Sequence, residues 1–161
     1  MQSLVKYLAC VVLAGLAGCT FQTPPASAPD AVSRSITLQE KDDNPVSGDA
    51  CTIEILNDES VYLNRNEHDC RNDQMSFYRL TDVRSATYIT LKGNDCDEGG
   101  GWWFLLKTMI DPMTTELLSI KNLEVLPVGS MVAPGVRLES KKYADEDTTG
   151  KLSCVIINVS E

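Results

Sequence analysis

"ATYITLKGNDCDEGGGWWFLLK" (residues 86–107) decides the fold class. Ala86 to Leu91 is rich in β-branched side chains, which suit a pleated strand. Gly93, Asn94, Asp95 and the run Gly99-Gly100-Gly101 then interrupt it with turn residues. Trp102 to Lys107 is apolar and aromatic again. The same pattern extends in both directions. Thr52 to Leu56 alternates, Asn57 to Ser60 turns the chain, and Val61 to Leu63 follows, a candidate hairpin. Met75 to Leu80 reads as a further strand. Leu117 to Val125 fits helix or strand, and its neighbours favour strand. Val136 to Glu139 and Cys154 to Val159 complete the set. No long segment has a 3.6-residue apolar period. About seven or eight short strands separated by turn signals predict an all-β domain, an antiparallel sandwich or barrel.

The N-terminus has a different character. Lys6 precedes an apolar run, Tyr7 to Ala17, that ends in small residues, the layout of a secretory signal. The run is shorter than the roughly 20 residues needed to span a bilayer. Leu16-Ala17-Gly18-Cys19 resembles the lipobox of bacterial lipoproteins at all four positions. The resemblance implies cleavage after residue 18 and a lipid on Cys19. Thr20 follows where an Asp retains enterobacterial lipoproteins at the inner membrane, so it implies the outer membrane, with the domain in the periplasm or at the cell surface. Residues 19–48 then read as a tether, with Pro24, Pro25, Pro29 and Pro45 among small polar residues. Ser35 to Leu38 is the one piece able to form a short edge strand. The all-β domain is expected over 49–161.

The chain carries a formal charge of −9. Such a surface repels nucleic acid and favours basic partners. About 140 residues after the signal suffice for one domain with a core. Cys10 leaves with the signal and Cys19 takes the lipid. Cys51, Cys70, Cys96 and Cys154 remain, an even number for an oxidising compartment, so two disulfides are expected. No CxxC pair or Cys/His cluster suggests a metal. Three connectivities are open to four cysteines.

A faint repeat runs through the domain. "VYLNRNEHDC" (61–70) lays on "YITLKGNDC" (88–96), and "NDQMSFYRL" (72–80) on "TELLSIKNL" (115–123). Each copy is followed by a loop and a strand, "ATYITL" and "GVRLES". This order resembles the βγ-crystallin motif, with Asn72-Asp73-Gln74-Met75-Ser76 matching five of six signature positions and Phe77 departing at the sixth. The second copy, Thr115 to Ile120, keeps only the hydroxyl of Ser119. The resemblance spans roughly residues 60–140 and implies a Greek-key sandwich. It also implies that Cys70 and Cys96 occupy matching turns, hence Cys70–Cys96 and Cys51–Cys154 pairing. It raises calcium as a ligand, with Asn72, Asp73 and Ser76 furnishing half a site. Calcium wants six to eight oxygens, and the second copy lacks the acidic pair.

Other candidate chemistry is sparse. Asp95, Asp97 and Glu98 form an acidic cluster between glycines, a second possible cation site or a solvated loop. His68, between Glu67 and Asp69, is the only histidine, and neighbours along a strand point to opposite faces, so no dyad is implied. No Gly-x-Ser-x-Gly elbow or free thiolate is evident, so no catalysis is expected. "DEGGGWWF" (97–104) is the candidate binding loop, with Asp97, Glu98, Trp102 and Trp103. Trp102 reads equally as an interface anchor or a core residue, while Trp103 and Phe104 read as core. Residues 130–135 and 141–151 read as ordinary loops. The expectation is a lipid-anchored envelope binding protein, an inhibitor or immunity-type protein docking a basic enzyme or toxin. The resemblance, which touches a family of small secreted protease inhibitors, agrees. The alternative is a structural or stress-related envelope protein, possibly calcium-stabilised.

Overall fold

The computed structural model describes residues 33–40 and 48–160. The lipobox with Cys19, the signal and most of the expected tether lie outside the described residues. Among those described, no helix is long and apolar enough to cross a membrane.

Among the described residues, ten strands build two antiparallel sheets. They are β1 (Ser35–Glu40), β2 (Ala50–Glu54), β3 (Glu59–Tyr62), β4 (Met75–Thr81) and β5 (Tyr88–Lys92). Then come β6 (Trp103–Thr108), β7 (Leu118–Ser119), β8 (Met131–Ala133), β9 (Val136–Lys142) and β10 (Cys154–Asn158). One sheet runs β2-β1-β4-β7 and the other β3-β10-β5-β6-β9-β8. This is an all-β sandwich with two disulfides.

Period-2 alternation makes the core. In β5 and β6, Ile89, Leu91, Phe104 and Leu106 are buried, while Thr90, Lys92, Trp103 and Leu105 face outward, half-buried. From the opposite sheet, Ile36, Leu38, Ile53, Tyr78 and Leu80 fill the space between. Each such side chain contributes about 1.5–3 kcal/mol on burial. That driving force fixes the register, because a one-residue slip would turn every one of them outward.

Several expectations need correction. β2 and β3 are not a hairpin: β2 pairs with β1, and β3 with β10 in the other sheet. Residues 55–58 form a corner between sheets, held by Ile55 N–H to the Arg34 carbonyl (2.7 Å) and Val159 N–H to Asp58 Oδ1 (2.7 Å). β1 is no edge strand or tether segment. It lies between β2 and β4, so the sandwich includes residues before 49. Leu117 to Val125 contains only the two residues of β7, then one helical turn, α1 (Asn122–Val125). Ile120 and Leu123 both point into the core, which a continuous strand would not allow. The Lys141 ammonium secures this turn by donating to the carbonyls of Leu123, Glu124 and Leu126 at 3.3, 2.7 and 2.7 Å.

The disulfides also differ from expectation: they join Cys51 to Cys70 and Cys96 to Cys154. Cys51 lies opposite Leu38 in β1, and Cys70 closes a pair of 3₁₀ turns, Leu63–Arg65 and Glu67–Asp69, that follow β3. The bond therefore ties β2 to the turns that follow β3. Cys96 sits on the loop after β5, which folds back over β10 and meets Cys154. Matching turns in a repeat are equivalent without being adjacent. The repeat segments themselves enter the sheets in one order: β4 and β7 pair with each other in the four-stranded sheet, while β5 and β9 lie in the six-stranded one.

Candidate functional site

The loop 93–101 is built from the inside out. Its Cys96 is anchored to β10, and Lys92 Nζ donates to the carbonyls of Asp95, Cys96 and Glu98 at 3.0, 2.9 and 3.0 Å. A lysine ammonium thus occupies the oxygen-lined centre of the loop. Asp97 and Glu98 stand exposed at its tip. Trp102 is buried at 2 % exposure, with its ring 5.4 Å from that of Phe104, and Gly93 is required because a Cβ there would strike the Trp102 indole. Trp103 points the other way and is only half-buried, so the tryptophan able to meet a ligand is Trp103 rather than Trp102. It shares a groove of about 350 Å³ with Thr90, Lys92, Leu105, Lys142 and the Glu98-Gly99-Gly100 edge of the loop.

Asn72, Asp73 and Ser76 serve as a clasp for the chain before β10. Asp73 Oδ1 lies 3.0 Å from the Ser153 hydroxyl, and Ser76 Oγ accepts the Gly150 N–H at 2.8 Å. Asn72 Nδ2 donates to Asp73 Oδ2 at 3.2 Å, and Asn72 Oδ1 is buried without a partner. No three acidic, histidine or cysteine residues converge on a point among the described residues.

His68 Nε2 lies 3.0 Å from Glu59 Oε1 in an open groove of about 660 Å³ lined also by Thr52, Glu54, Leu56 and Asp58. Glu67 does not join it, since Glu67 Oε2 accepts the Tyr62 N–H at 2.6 Å. The Thr52 hydroxyl is bonded to that of Thr37. The pair amounts to an imidazole beside a carboxylate.

A third surface went unread in the sequence. The last strands of the two sheets, β7 and β8, are each paired on one side only. Between them lies a groove of about 600 Å³ lined by Ile110, Met113, Leu118, Val132, Ala133 and Pro134, with Glu116 on its wall. Ile110 is 53 % exposed and Met131, beside Val132, 51 %. The signal was present: apolar pairs Met109-Ile110 and Met131-Val132 occupy segments that turn chemistry would fill with polar residues.

No protein-family model, curated protein or solved structure matches this chain.

Proposed function

We propose that this chain is a lipid-anchored envelope binding protein without catalysis, of inhibitor or immunity type, which docks a basic enzyme or toxin. The observation that carries the reading is the apolar groove between β7 and β8 with Glu116 on its wall. Contiguous exposed apolar surface bounded by charge is the build of a protein interface. Unpaired strand edges on both sides offer main-chain hydrogen bonds to an inserted segment. The Glu116 carboxylate on the groove wall, on a chain of charge −9, supplies attraction to a basic partner. Two disulfides keep the platform rigid, which limits the ordering cost of association. The lipobox Leu16-Ala17-Gly18-Cys19 supplies the anchor, and Thr20 favours the outer membrane. The relation to βγ-crystallin-like proteins rests on the repeat and on its order through the two sheets.

The test is a defined panel of basic lysozymes and proteases passed over the immobilised chain, with and without Ile110→Asp and Val132→Asp. Stoichiometric, salt-sensitive capture and inhibition of one enzyme, lost in the groove variants, is the expected result. Failure of the whole panel at low salt, or capture indifferent to both substitutions, sinks the reading.

A further inference from the structure

The outer face of the six-stranded sheet has a chemistry opposite to that of the whole chain. Alternation brings Tyr88, Thr90 and Lys92 of β5, Trp103, Leu105 and Lys107 of β6, and Arg137, Ser140 and Lys142 of β9 to that face. The register sets Lys142 and Lys92 on either side of Trp103, and Arg137 and Tyr88 on either side of Lys107. Lys107 Nζ sits 4.9 Å from the centroid of the Tyr88 ring. Glu139 is the carboxylate among these strands, and the Arg137 guanidinium pairs with it, while Glu98 of the loop borders the groove beside Trp103. Trp103 and Tyr88 are four residues apart on neighbouring strands, a separation of roughly 14 Å. Thr90, Leu105 and Ser140 lie between them as a shallow, partly hydroxylated floor.

We propose that this face binds an acidic polysaccharide, a glycan of carboxylated sugars. The occupant follows from the chemistry. A sugar ring has an apolar C–H face that packs flat on an aromatic ring, and hydroxyls that bond to Thr and Ser. Its carboxylates meet Lys107 and Lys142. An acidic peptide supplies the charge but no repeating flat apolar face, and a neutral glycan leaves the lysines without partners. A basic protein is repelled here, so this surface is separate from the apolar groove at β7 and β8. The Lys92 ammonium, which holds the loop carbonyls, fixes the wall of the groove beside Trp103.

The experiment is affinity electrophoresis and tryptophan fluorescence of the full chain in mild detergent with polygalacturonate. Neutral dextran and polyglutamate are the comparison polymers. Retardation by polygalacturonate, weakened by salt and accompanied by a change in Trp103 emission, is expected; dextran and polyglutamate are expected to bind at least tenfold more weakly. Trp103→Ala, and separately Lys107→Glu with Lys142→Glu, are each expected to weaken binding about tenfold, equivalent to about 1.4 kcal/mol. The lysine pair leaves the core untouched, so the test holds even if Trp103→Ala unfolds, and Ile110→Asp should bind as the parent does. No retardation by polygalacturonate overturns the proposal. Equal binding of polyglutamate overturns the glycan, and equal binding of dextran overturns the role of charge.

Discussion

Paired cysteine replacements separate the observed connectivity from the one implied by the repeat. The bonds close segments of 19 residues (Cys51–Cys70) and 58 residues (Cys96–Cys154). Loop-closure entropy assigns about 3.2 kcal/mol to the shorter and about 4.2 kcal/mol to the longer at 25 °C. Cys51→Ala/Cys70→Ala therefore loses about 3.2 kcal/mol, and Cys96→Ala/Cys154→Ala about 4.2 kcal/mol. Cys70→Ala/Cys96→Ala breaks both bonds and loses about 7 kcal/mol, comparable with the whole stability of an ordinary domain. Urea unfolding of the three variants, with the slope m checked for change, measures these losses. The order is diagnostic. If Cys70–Cys96 were the native bond, the cross variant would lose one bond and Cys51→Ala/Cys70→Ala would lose two. A cross variant more stable than Cys51→Ala/Cys70→Ala refutes the pairing described above.

Further outcomes are expected at three positions. The Tyr78 hydroxyl is fully buried without a hydrogen-bond partner, so Tyr78→Phe should stabilise the domain by about 1–3 kcal/mol in urea unfolding; a loss of stability removes the argument. Burial also raises the Tyr78 phenol far above its ordinary pKa of 10.0. The folded state then keeps a proton that the unfolded state sheds, so stability falls by about 1.4 kcal/mol per unit as pH climbs past about 10, and Tyr78→Phe should flatten that fall. Gly93→Ala drives a methyl group into the Trp102 indole and should cost about 1–3 kcal/mol, visible as a lowered melting temperature and altered near-ultraviolet dichroism; an unchanged spectrum contradicts the close packing. Asp73→Ala removes the acceptor facing Ser153 and should cost about 1–2 kcal/mol. Millimolar calcium should leave the parent melting temperature unchanged, whereas a rise of several degrees that vanishes in Asp73→Ala would support a metal role for Asn72, Asp73 and Ser76.

What the sequence disclosed was local. Alternation in β5, β6 and β10 follows from residues two apart, and it sufficed for an all-β sandwich. The two tryptophans were misassigned: Trp102 was left open and Trp103 read as core, although Trp102 shares the parity of buried Phe104 and Leu106 while Trp103 takes the outward one. The hairpin reading of residues 52–63 failed because a corner and a hairpin need the same turn residues; they differ in the distant strand that each arm joins. Central placement of β1 likewise depends on β2 and β4, which lie up to about forty residues away in sequence. The four-residue helix at Asn122 is too short for any period to reveal, and its support comes from Lys141 on another strand. The apolar groove escaped notice for a related reason. Its lining is gathered from two separate segments, 110–118 and 132–134, and it exists only once β7 and β8 end their sheets side by side.

The two lysines that each gather three main-chain carbonyls have a consequence for amine chemistry. Lys92 and Lys141 spend their ammonium protons inside the protein, whereas Lys121 and Lys151 extend into water. An acylating reagent must release three hydrogen bonds before it can reach either of the first two. Their acylation is therefore tied to local opening, and it leaves an uncharged amide that cannot return to the same cradle. Once modified at Lys92, the loop 93–101 would lose the three bonds at its centre and keep only its outer ties, the Cys96 disulfide and the contacts of Gly93 and Asp95 with Trp102, Ser153 and Asn64, so a chemical mark at one amine becomes a permanent record that the loop had opened.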